Sequence, residues 1–138
     1  MIWSDQHLLE LRFDDCDGRS LFSCDTYVAR AWPQQVVDEL SAFRAHLGDH
    51  PYELRAGTFG PDRANGAASC TLQFRPPGAL LVSVHLQRAF EEFGGARVAS
   101  EATLYLHTQP VLLDGFIEEL RALGRGTRRD AGLECLEQ

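Results

Sequence analysis

Two runs, Leu80-Leu81-Val82-Ser83-Val84-His85-Leu86 and Glu101-Ala102-Thr103-Leu104-Tyr105-Leu106-His107, decide the fold class. In the first, Leu80, Val82, Val84 and Leu86 oppose Ser83, His85 and Gln87. In the second, which extends back to Val98, the residues Val98, Ala102, Leu104 and Leu106 oppose Glu101, Thr103, Tyr105 and His107. Successive side chains leave a strand on opposite sides, so alternation of period two marks strands with one buried and one wet face. Gly94-Gly95 turns the chain between them, and they read as a two-strand meander.

Downstream, the period changes. Thr108 is placed as an N-cap and Pro110 in a first helical turn; Leu112, Leu113, Phe116, Ile117, Leu120 and Leu123 then form an apolar stripe that stops at Gly124. Upstream, Cys70, Leu72 and Phe74 alternate with Thr71, Gln73 and Arg75, and Tyr52, Leu54 and Ala56 alternate with Glu53 and Arg55. The loop from Thr58 to Ala67 joins these two strands. A helix from about Pro33 to Leu47 carries Val36, Leu40, Phe43 and Leu47, and Gly48 and His50-Pro51 end it. At the N-terminus, Leu9, Leu11 and Phe13 face one way. After a turn at Asp14 to Gly18, Phe22, Cys24 and Val28 return as the second strand of a hairpin.

The order is therefore ββαββββα. Connections this short suit antiparallel neighbours and leave no room for crossover helices, which makes the class α+β. The expectation is an antiparallel sheet of about six strands with two helices on one face and the other face polar. Residues 1–124 form a single domain. The tail 125–138 has only Leu133, Cys135 and Leu136 to bury after a run of arginines, and poor order is expected there.

With 138 residues, 44% hydrophobic and 24% charged, the chain is long enough for one core and is neither fibrous nor disordered in composition. The net charge of −7 repels phosphate backbones, which disfavours generic nucleic-acid binding. All 13 basic residues are arginine, so Schiff-base lysine chemistry is absent, and isoleucine occurs only at Ile2 and Ile117. That skew fits a GC-rich coding bias and a bacterial source. The opening residues Met1 to His7 lack the basic and apolar regions of a secretory signal, and no apolar run approaches ~18 residues; a cytoplasmic location and no membrane are expected. Cys16, Cys24, Cys70 and Cys135 show no CxxC spacing, and reduced thiols are expected.

Motifs for catalysis or cofactors do not assemble. Asp15-x-Asp17-Gly18 begins like a calcium loop, but Thr26 stands where the twelfth-position glutamate belongs. His46 and His50 have a metal-ligand spacing that Gly48 and Pro51 interrupt. Glu91-Glu92 and Glu118-Glu119 are neighbours in sequence and so point apart. Gly57, Gly60 and Gly66 lack phosphate-binding spacing. His85 and His107 share the polar side of neighbouring strands, within expected reach of Gln87, Glu101 and Tyr105, and could form a binding cluster. No catalytic residues, cofactor or metal are expected.

The segment Gly78 to Leu86, the strand Glu101 to Gln109, and the following helix through Leu112, Phe116 and Leu120 resemble the small WapI-like immunity proteins of bacterial toxin systems. The helix Val36 to Phe43 before a strand pair fits the same layout. The resemblance implies a non-catalytic, cytoplasmic binding protein that neutralises a cognate toxin domain. It carries over no catalytic set. Acidic charge would speed association with basic toxin domains. The expected partner-binding residues are Glu10, Asp25, Glu53, Gln73, His85, Glu101, Tyr105 and His107, on one open polar face. The alternative is an acidic, dimeric secretion chaperone for an effector protein, with the stripe of the last helix as its dimer face.

Overall fold

The computed structural model describes residues 8–60 and 64–136. Its elements are β1 (Leu8–Cys16), β2 (Leu21–Ala29), α1 (Trp32–Ala45), β3 (Tyr52–Gly57), β4 (Ala67–Arg75), β5 (Ala79–Gln87), β6 (Glu91–Phe93), β7 (Ala96–Val98), β8 (Glu101–Thr108) and α2 (Pro110–Gly124). The fold is α+β, as the alternation requires. The strands do not join into one sheet of six. A four-stranded antiparallel sheet runs β3-β4-β5-β8, while β1-β2 and β6-β7 are separate two-stranded ribbons.

The register shows which side chains share a face. Leu54 faces Cys70, Cys70 faces Val84, and Val84 faces Leu104; one step along, Tyr52, Leu72, Val82 and Leu106 form the next row. This apolar face receives both helices. Val36, Val37, Leu40 and Phe43 of α1 and Leu113, Ile117 and Leu120 of α2 pack with Leu54, Leu72, Leu80 and Val82 in one core. Leu40, Leu80 and Leu113 are fully enclosed. Leu113, Ile117 and Leu120 of the α2 stripe are thus buried within the chain's own core, while Leu112, Phe116 and Leu123 stay partly exposed. Between the helices, Arg44 Nε and Nη2 donate to Asp114 Oδ1 and Oδ2 at 2.8 and 3.2 Å, a fork-to-fork pair that sets how they meet.

The hairpin β1-β2 forms a second, smaller layer. Cys24, with Phe13 and Phe22, packs against Ala68, Val84 and Leu86, residues of the sheet's helix-side face. The hairpin therefore lies over the same face as the helices, beyond their ends. Two glycines permit the approach. Gly66 (φ +92°) has no room for a side chain, because a Cβ there would come 1.9 Å from the Asp25 carbonyl oxygen. Gly57 (φ +77°) would meet the Gly66 oxygen at 2.0 Å. This close layering, absent from any strand periodicity, keeps the hairpin out of the main sheet.

Three local expectations change. The hairpin turn moves on to Asp17–Ser20, where Asp17 Oδ1 accepts from the backbone N–H of Arg19 and Ser20. Val98 belongs to β7, opposite Glu91, and not to the strand of Leu104. Thr108 does not cap α2, whose N-cap is Gln109. It is buried at the end of β8, and its hydroxyl donates to the Glu134 carbonyl at 2.7 Å.

That bond belongs to a folded-back C-terminal stretch, 125–136, whose composition suggests poor order. Ala131 and Leu133 rest on the core, the Gly132 N–H donates to Glu119, and the Leu136 N–H donates to the His107 carbonyl at 2.7 Å. Composition hid this, because the anchors are mostly backbone groups that any residue carries. Among the described residues no helix is long and apolar enough to cross a membrane.

Candidate functional site

The side of the sheet away from the helices is built by the polar members of each alternation. One cross-strand row is Glu53, Thr71, Ser83 and Tyr105, and the next is Arg55, Ser69, His85 and Thr103. On the other flank, Gln73 faces Leu81 and Leu81 faces His107. Five expected partner residues beside Tyr105 thus share this face: Glu53, Gln73, His85, Glu101 and His107. Tyr105 is 70% exposed and stands beside a shallow depression of about 200 Å³ lined by Thr71, Gln73, Leu81, Ser83 and His107.

Glu10 and Asp25 do not join them. Both lie on the outward side of the hairpin, in a ribbon separate from the four-stranded sheet that carries the other six. Each is also engaged there: the Tyr27 hydroxyl donates to Glu10 at 3.2 Å, and Arg12 Nε donates to Asp25 at 3.0 Å. Alternation marks a residue as outward within its strand but not which layer the strand occupies, and this is why the sequence reading merged two surfaces.

The histidine pair separates as well. His85 and His107 lie at registers four residues apart, Thr103 and His107 of β8, which is roughly 13 Å along the strands. No ligand atom can bridge that distance. His85 Nε2 instead lies 2.6 Å from Glu101 Oε2, and the Phe59 ring stacks on the imidazole with centroids 4.6 Å apart and planes 16° from parallel. The loop that carries Phe59 is fixed where the Gly60 N–H donates to Gln87 Oε1 at 2.7 Å. This end of the face is therefore closed over by the protein's own loop, while the Tyr105–His107 end is open. Among the described residues no three His, Cys, Asp or Glu side chains gather to hold a metal ion.

A second concavity was not foreseen. Tyr27, Trp32, Arg55 and Phe59 line an open groove of about 660 Å³ between the hairpin and the edge strand β3, where the Trp32 Nε1–H donates to the Arg55 carbonyl at 2.9 Å. Its members come from β2, α1, β3 and the loop after β3, and no spacing in the sequence connects them.

Three of the four thiols are quiet. Burial pushes the Cys24, Cys70 and Cys135 thiols up from their ordinary range, so they stay protonated and weakly nucleophilic. Burial also pushes the Asp15 carboxyl up to about 6, with the charge of Asp17 adding to the effect. Sequence places Asp15 in a turn, but it sits on the inward side of β1 opposite Phe22, where a tertiary layer buries it. Comparison of the chain with family models, with curated proteins and with solved structures gives no match.

Proposed function

We propose that the open sheet face is a protein-binding surface, that the chain acts by binding and not by catalysis, and that it neutralises a cognate toxin domain as an immunity protein. The observation that carries the binding reading is Tyr105, a large aromatic 70% exposed beside a depression of about 200 Å³, on the sheet face away from both described helices. A tyrosine in such a place is the kind of anchor that dominates binding energy, since it buries much area for little conformational entropy. Gln73, Ser83 and His107 around it can hydrogen-bond a polar partner surface. The net charge of −7 favours a basic partner and a fast, salt-sensitive encounter.

The toxin assignment rests on the resemblance of the Gly78–Leu86 and Glu101–Gln109 segments to WapI-like immunity proteins, together with the acidic charge. On this reading the protein works in the cytoplasm of the producing cell and needs no cofactor. The test is a tagged pull-down from the native cell at moderate salt, followed by mass spectrometry and a size measurement. Recovery of one partner chain per copy, identified as the C-terminal domain of a large secreted protein whose toxicity the chain suppresses, supports the proposal. Recovery of an effector's N-terminal segment supports the secretion chaperone instead, and an empty bait defeats both.

A further inference from the structure

We propose that the outer edge of β8 pairs with the β8 edge of a second copy about a two-fold axis at Thr103, joining two four-stranded sheets into one. β8 ends the sheet, with β5 on one side; among the described residues no strand pairs along its other side except at the single contact of Leu136 with His107. That contact reveals the direction of the backbone. The Leu136 N–H donates to the His107 carbonyl from outside the sheet. In an antiparallel strand, alternate residues direct both backbone groups to the same side, so Tyr105, Thr103 and Glu101 also present their N–H and C=O outward. Three alternate residues thus offer pairing groups that no described strand takes up. The edge carries no proline, no lysine or arginine, and no bulge in its register with β5.

The side chains fit a second copy specifically. A two-fold axis at Thr103 sets Thr103 opposite itself and Glu101 opposite the other copy's Tyr105, which keeps outward-facing residues paired with outward-facing ones. A Tyr–Glu pair in this register already exists in the molecule: Glu10 faces Tyr27 in the hairpin, and the tyrosine hydroxyl donates to the glutamate. Glu101 meets His85 through Oε2, which leaves Oε1 to accept a second hydrogen bond. On the opposite side of the strand, Ala102 would meet the second copy's Leu104. Both are partly exposed apolar residues that belong to neither hydrophobic cluster. Polar pairs on one side and apolar pairs on the other are what a two-sided strand contact requires. The joined sheet leaves the depression beside His107 accessible on each copy.

The experiment is sedimentation of the full chain over a concentration range from about 1 to about 100 µM, because a self-associating protein shifts to dimer by mass action. The expected result is a monomer–dimer equilibrium in this range. Thr103→Pro removes an outward N–H that serves no bond within the sheet, so the fold tolerates it while the paired edge is blocked. Tyr105→Glu sets like charges opposite each other without touching the backbone. Each is expected to weaken dimerisation about tenfold or more, with circular dichroism unchanged. A chain that stays monomeric at the highest concentration overturns the proposal. A dimer that both folded variants leave intact overturns it too, because its contact then lies elsewhere. If Thr103→Pro does not fold, the Tyr105→Glu result decides.

Discussion

At the scale of single residues, Asp15 and Gly66 carry the most testable physics. Asp15 has a carboxyl raised to about 6 by burial, so the folded state holds its proton more tightly than the unfolded chain does. The sign follows: its favourable contribution is complete below the ordinary carboxylate value of 3.8 and is lost as pH rises through about 6. Asp15→Asn is expected to be more stable than the wild type by about 2 kcal/mol near neutral pH, and the gap should close near pH ~4. Urea unfolding at the two pH values measures this. Gly66→Ala is expected to cost about 3 kcal/mol or more, since its Cβ would collide with backbone that cannot yield. Gly18 supplies the control, because it also has positive φ but open space around it. Its alanine variant should lose only about 1 kcal/mol in the same unfolding assay. Neither residue announces its role in sequence: Asp15 reads as a turn aspartate and Gly66 as a loop glycine. Their importance comes from the layer that lands on them.

At the scale of elements, periodicity located the two helices and the four strands of the main sheet to within a few residues. It did so because burial of one face is a local demand, written into every second or every third to fourth residue. It did not say how those elements pair beyond near neighbours. The hairpin could satisfy its apolar face by extending the sheet or by lying on it, and the glycines at 57 and 66 made the second arrangement sterically possible. The C-terminal stretch shows the same limit. Its attachment depends on the Thr108 hydroxyl, the Gly132 N–H and the Leu136 N–H, groups that no hydropathy pattern registers. Thr108→Val keeps the side-chain shape but leaves the Glu134 carbonyl without its donor. A loss of about 1 kcal/mol is expected, together with faster proteolytic cleavage after α2. Limited proteolysis followed by mass spectrometry would locate the cut. Unchanged cleavage would mean that Thr108 does not hold the stretch in place.

At the scale of the whole molecule, the two outward surfaces make opposite predictions. Once a partner is in hand, Tyr105→Ala and His107→Ala are each expected to weaken it about tenfold or more, equivalent to about 1.4 kcal/mol. Glu10→Ala and Asp25→Ala, on the hairpin side, are expected to leave affinity unchanged, although alternation alone groups all four residues together. Calorimetric titration of the four variants distinguishes the layered arrangement from a single continuous face. The wild-type complex should also weaken as salt rises, because an acidic chain gains part of its association rate from screened charge. An edge dimer would place two copies of the open face side by side and give a bivalent partner a larger surface without any new contact chemistry.

What the sequence determined by itself is the α+β class, the identity of the strands and helices of the main domain, and which side chains of each strand point toward polar surroundings. These properties follow from short-range geometry, the two-residue period of a strand and the 3.6-residue turn of a helix. Tertiary structure alone decided that the hairpin forms a second layer, that Asp15 is buried, and that His85 joins Glu101 and Phe59 while His107 stands apart beside Tyr105. It also decided that β8 lies at the edge of the sheet, with no second strand along it among the described residues. These features depend on which distant segments meet, and that choice is made by the packing of whole surfaces and by a few close backbone approaches, neither of which is encoded in the spacing of neighbouring residues.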